Sequence, residues 1–196
     1  MRLSRVAETR RSVLATQRRL DGLYRLDVSV KAWRFLLSAE AARGLLPAGG
    51  PRSGLLALEE DGELFLGIYL DPIDLEDPDT VVEETSHFVC LAWHAEQGRP
   101  VSPLTLELQS EIDRYLLARL EGRDPLAHFR GFRFGRWMDA ETRERYERAH
   151  VAGHRYCRAL GERFPRSSDL PGLLDELRGF YRAPAESKLR RAQAAA

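Results

Sequence analysis

The chain has 196 residues, 43% hydrophobic and 31% charged, with thirty basic and thirty acidic side chains and a formal net charge of zero. These values describe a soluble globular chain with a core, and the zero net charge argues against nucleic acid as the main partner. No apolar run is long enough to span a membrane, the basic start "MRLSRVAETRRSVL" lacks the apolar stretch of a secretory signal, and two cysteines, Cys90 and Cys157, are too few for a disulfide framework.

Reduced thiols and a cytoplasmic location are therefore expected. Only Lys31 and Lys188 are lysines, and arginine with much Ala and Leu is the habit of a GC-rich bacterial coding sequence. Charge is unevenly spread. Residues 1–50 carry ten bases against four acids, and residues 51–100 carry two against twelve. Such an acidic middle either packs beside the basic ends or faces a cation or a basic partner.

In chain order, residues 4–23 are expected to form a basic amphipathic helix with Val6, Val13, Leu14 and Leu20 inward. Residues 28–37, "VSVKAWRFLL", are β-branched and aromatic and read as a strand. Ser38 is an N-cap for a short helix. "GLLALEEDGELFLGIYLD" is a hairpin turning at Asp61-Gly62, a pair that favours a type I′ turn. "DPIDLEDPD" is an acidic, proline-broken loop without the glycine and ligand spacing of a calcium hand.

Beyond Thr80 the pattern is helical, over 81–97, 103–121 and 140–163, then 171–182 and 185–193. Gly98 and Gly122 sit where helices end, Ser102-Pro103 and Asp139 where they begin. The expected fold is one α+β domain over 1–196, mostly helical. A small N-terminal β-hairpin element (within 1–79) packs on a group of antiparallel helices (80–196).

The candidate chemistry lies in "TVVEETSHFVCLAWHAEQG". Thr80 and Glu83 fit a capping box, which gives Glu83 a structural role. Glu84 has none, and His87 at i+3 is its available partner. On the next helix Thr105, Gln109 and Asp113 recur at i, i+4 and i+8 within the apolar arc. Counting from the short 97–103 connection sets Asp113 level with His87 and Glu107 close to His94. A polar network of Glu84, His87, Gln109 and Asp113 follows, in which Glu84, His87 and Asp113 would be the catalytic groups of an enzyme.

Glu-x-x-His occurs twice, at Glu84/His87 and Glu147/His150, the spacing used in di-iron carboxylate bundles. This makes His87, His94, Glu107, Glu147 and His150 candidate ligands for a divalent metal, although no zinc signature, phosphate loop or nucleophile elbow is present. In "HFRGFRFGRWM", Arg130, Arg133 and Arg136 interleave with aromatics, as in single-strand nucleic-acid binding.

The expected function is that of a small accessory protein binding another protein or itself, with the polar network fixing helix register. The alternative is a metal-dependent hydrolase or oxidoreductase built on Glu84, His87 and Asp113 with His94 or His150. The third is single-strand binding through 128–138.

Overall fold

The computed structural model describes residues 2–46, 50–61, 63–131, 135 and 138–195. Among the described residues the chain is a mostly helical α+β fold, with eight α-helices and one two-stranded antiparallel sheet. The helices are α1 (Arg2–Tyr24), α2 (Ala39–Ala42), α3 (Pro78–Glu96), α4 (Pro103–Leu120), α5 (Ala127–Gly131), α6 (Ala140–Arg163), α7 (Leu170–Arg182) and α8 (Ala185–Ala194). Strands β1 (Gly54–Glu60) and β2 (Glu63–Tyr69) pair from Gly54↔Tyr69 to Glu60↔Glu63. Asp61 takes the positive φ of 52° that a primed hairpin turn needs.

Helix ends follow local chemistry. Ser102 Oγ accepts the Thr105 amide and Asp139 Oδ1 the Thr142 amide, so α4 and α6 start where their caps stand. Gly98 and Gly122 end α3 and α4 with φ of 61° and 69°. The amides of Arg99 and Arg123 reach back to His94 and Ala118, closing two Schellman turns. These turns aim α4 back along α3 and release the chain toward α5.

Helix α4 is the axis of the molecule. From Glu107 to Ala118 every residue is buried. It packs between α3 and α6, while α1 and both strands lie against α3, α7 lies on α1 and α8 on α6. Phe88, Val89, Leu108 and Ile112 are at most 1% exposed, and burial of each such side chain contributes about 1.5–3 kcal/mol. A helix buried on all sides must satisfy every polar group it carries from its neighbours.

Two local expectations change. Residues 28–37 are not a strand: Ala32–Phe35 form a 3-10 turn, and only Leu36 bridges to Ile68. Gln17 of α1, 1% exposed, explains this. Its Nε2 donates to the Val30 carbonyl and its Oε1 accepts the Ala32 amide. A side chain thus takes the bonds that a neighbouring strand would have made. Of the inward positions expected on α1, Val13 and Leu20 are buried, but Val6 is 53% exposed. Among the described residues no helix is long and apolar enough to cross a membrane.

Candidate functional site

Helix α3 starts at Pro78, with Asp77 as its N-cap. Asp77 accepts the Asp79 amide and the Thr80 hydroxyl. Thr80 is therefore inside the helix, and Glu83 is not a capping glutamate. This is a correction with a physical origin. Asp77-Pro78, a cap followed by proline at the first turn, outcompetes Thr80. Glu83 is freed for the α3–α4 seam, one turn before His87.

Two polar stripes run along α4 on different sides. Thr105, Gln109 and Asp113 form one, all at most 5% exposed. Glu107, Glu111 and Arg114 form the other, at i, i+4 and i+7. They build two separate clusters, not the single Glu84–His87–Asp113 network expected.

The first cluster centres on Asp113. Tyr24 Oη donates to its Oδ1 at 2.5 Å, Ser86 Oγ to its Oδ2 at 2.5 Å and Gln109 Nε2 to its Oδ1 at 2.9 Å. Lys188 of α8, 1% exposed, donates to Gln109 Oε1 at 3.2 Å and lies over the Tyr181 ring. Burial pushes the Lys188 amine down from its usual value and the Asp113 carboxyl up, the latter opposed by its three hydrogen bonds. Asp113 is thus tied to α1 and α3 directly and to α8 through Gln109. No hydrogen bond or ion pair joins it to His87.

The second cluster carries the unsettled chemistry. His87 Nε2 lies 3.3 Å from Glu107 Oε2, and its Nδ1 lies 3.7 Å from Glu84 Oε2. Ligand-type atoms of Glu83, His87 and Glu107 all lie within 4.8 Å of one another. Yet Glu84 Oε2 and His87 Nε2 have no partner at hydrogen-bonding geometry, although both are buried. Burial pushes the Glu83 carboxyl up to about 7, opposed by Arg114 and reinforced by Glu84 and Glu107. Burial works against a proton on His87, but the carboxylates of Glu107 and Glu84 outweigh it and hold the ring's pKa well above the usual value. Tyr146 of α6 is raised by burial and by the carboxylates of Glu107, Glu83 and Glu84.

Arg114 joins this group to a third set of residues. Its guanidinium contacts Glu83 Oε2 and Glu111 Oε2, each at 3.0 Å. Glu111 also lies 3.0 Å from His128 Nε2 and 3.1 Å from His150 Nδ1. Burial would raise the Glu111 carboxyl, but Arg114 and the two imidazoles hold it well below the usual range.

The other expected ligands fall elsewhere. His94 Nδ1 donates to the Cys90 carbonyl at 2.8 Å, and its ring stands edge-on to Trp93. Its proton is disfavoured by burial. The bond ties it to its own helix, and no ion pair joins it to Glu107. Glu147 is exposed on the outer face of α6, so the second Glu-x-x-His motif is not assembled; only His150 turns inward. Arg130 is exposed and pairs with Asp124, while neighbouring Phe129 is buried. Arg133 and Arg136 lie outside the described residues. Cys90 and Cys157 are both buried free thiols, raised by burial.

Three residues were missed: Glu83, Glu111 and His128. Glu111 was signalled by its spacing from Glu107 and Arg114. His128 sits on the five-residue α5 and reaches Glu111 only because α5 folds over the α4–α6 seam, which no local pattern announces. No family model, curated protein or solved structure matches the chain.

Proposed function

We propose that the chain is a metal protein, with Glu83, His87 and Glu107 as ligands to one divalent cation and Glu84 beside His87. The carrying observation is the meeting of three ligand atoms from two helices within 4.8 Å, with a buried His87 Nε2 that has no hydrogen-bond partner. Two carboxylates with one imidazole form a largely oxygen set that suits manganese, iron(II) or zinc. A cation there would polarise a bound water or substrate oxygen, which is the chemistry of a metal-dependent hydrolase or oxidoreductase. Arg114, held on Glu83, would orient that ligand from outside.

Elemental analysis of untagged protein tests this. Near-stoichiometric manganese, iron or zinc, absent from His87→Ala and Glu107→Gln, is expected. A metal-free wild type that also fails to take up these ions in titration rejects it.

A second reading, a protein-binding module, is favoured by one observation. Leu58 and Phe65 are cross-strand partners on the hairpin and are 60% and 51% exposed. The surrounding chain is acidic, so a basic partner fits best. Loss of partner capture on Leu58→Asp with metal content unchanged would support this reading alone.

A further inference from the structure

Exposed apolar side chains on the hairpin and on α1 lie along one strip. In-register partners of an antiparallel pair share a face, and alternate residues return to it. Leu58 and Phe65 therefore stand on the same side of the hairpin as Leu56 and Gly67, while Ile68, on the other side, is buried in the core. Leu37 covers Gly67 on that outer side, since a Cβ at position 67 would meet the Leu37 side chain at 2.7 Å. Leu37 also lines a half-open cavity of about 860 Å³ between α1, α2 and the end of β2, with the exposed Val6 and with Leu70 and Leu75. The apolar strip so runs from this cavity along the outer face of the hairpin toward its turn. Strand β2 has seven residues, which makes the strip about 20 Å long.

The two ends of the strip carry opposite charge. Arg5 and Arg10 of α1 and Arg43 beyond α2 line the cavity, against one acid, Glu40, among its described lining residues. Among the described residues none of these three arginines has an ion pair, and Arg10 rests over the Trp33 ring, 5.7 Å from its centroid. A concave site with apolar walls focuses such a field. At the turn Glu60, Asp61 and Glu63 are exposed, and no cation among the described residues pairs with them. Glu60 and Glu63 stand directly opposite each other across the strands. Like charges so placed destabilise a hairpin, and a cation brought to them relieves the repulsion.

An apolar strip with a basic end and an acidic end is self-complementary under a two-fold rotation. The rotation reverses the direction of the strip, so each acidic turn meets a basic cavity and the apolar middles meet each other. We infer that this face joins two copies of the chain in a two-fold dimer, the hairpin turn of each seated at the Arg5–Arg43 cavity of the other. A second copy is the occupant because the strip carries both halves of the contact. The inference rests on the protein-binding reading of the hairpin, whose basic partner it names, and is independent of any metal.

Sedimentation velocity of the full chain across a wide range of concentration tests this, and circular dichroism checks the fold of each variant. Wild type is expected to be a dimer. Leu58→Asp, Glu60→Arg with Glu63→Arg, and Arg5→Glu with Arg43→Glu should each weaken self-association at least about tenfold, because each puts an unmatched charge into the contact. Mixing the two charge-reversed proteins should restore a dimer of one copy of each, since both acid–base contacts re-form with their signs exchanged. Misfolding of either variant cannot produce that rescue. A mixture of folded variants that stays monomeric overturns the inference. A monomeric wild type also overturns it; the protein-binding reading then stands if another protein is captured in a Leu58-dependent way and falls if none is. A dimer retained by both charge-reversed variants uses another face and overturns it as well. Growth past the dimer does the same, because it shows a head-to-tail contact that does not close.

Discussion

Gly153 of α6 lies so close to Glu111 of α4 that a Cβ at position 153 would stand 3.0 Å from the Glu111 Cβ and 3.5 Å from the Phe129 ring. The obstructing atom is a Cβ, fixed to its helix, so α4 and α6 would have to part. Gly153→Ala is expected to lower stability by about 1 kcal/mol, with overpacking of about 1–3 kcal/mol outweighing the helix-propensity gain of about 1 kcal/mol. Gly179→Ala in α7 is the control, since nothing lies within 4 Å of a Cβ there. It should raise stability by about 0.5–1 kcal/mol. Denaturant melts of the two variants check the pair. Stabilisation by Gly153→Ala would show that the seam gives way.

Asp113 and Glu107 are six residues apart on one helix and serve different clusters, which makes their variants separable. Asp113→Ala strands Tyr24, Ser86 and Gln109 in a buried site and is expected to cost about 3–5 kcal/mol. Ser86→Ala removes one donor of three and should cost about 1 kcal/mol. Neither should change metal content, measured on whatever fraction folds. Loss of metal on Ser86→Ala would tie the two clusters together.

Metal should also be visible in thermal stability. An ion that binds only the native state adds about 2.7 kcal/mol at a hundred times its dissociation constant. Zinc or manganese is therefore expected to raise the wild-type Tm and to leave Glu107→Gln unmoved. In chelator, Glu107→Gln should be at least as stable as wild type, because it removes one of several buried carboxylates crowded on a single imidazole. A calorimetric scan with and without metal measures both. An equal metal response in the variant would remove Glu107 from the ligand set.

Asp21 on α1 sets a separate pH dependence. Burial raises its carboxyl from 3.8 to about 6, with Glu96 and Asp27 adding to the rise and Lys31 and Gln17 opposing it. Its Oδ1 has no hydrogen-bond partner. Between pH 3.8 and about 6 the native chain keeps a proton that the unfolded chain has lost. Stability therefore falls as pH rises through that window and stays lowered above it. Asp21→Asn cannot ionise and should escape the fall. A gain of about 1 kcal/mol at pH 8, discounted for a half-exposed site, and almost none near pH 3, is expected from urea melts. A gain of the same size at both pH values would contradict the assignment to ionisation.

By itself the sequence determined the helices and most of their ends. Ser102, Asp139, Gly98 and Gly122 act through bonds to backbone groups one turn away, so their meaning is local and survives any packing. It also determined that α3 and α4 would meet along a seam holding Glu84, His87 and buried polar groups, because both helices carry such residues on faces that have to be covered. Tertiary structure decided which of these groups touch. Ser86 and His87 are about 100° apart around α3, and Glu107 and Asp113 about 120° apart around α4. The Ser86–Asp113 and His87–Glu107 contacts therefore lie on opposite flanks of the seam. Counting residues from the loop gives height along the axis and not direction around it, which is why Asp113 was matched to His87. The strand expected at 28–37 gave way to a buried glutamine thirteen or more residues away. His128 entered through a short helix folded over a distant seam. Each outcome depends on side chains brought together from far apart in the chain, and only the packing of α4 between α3 and α6 supplies that information.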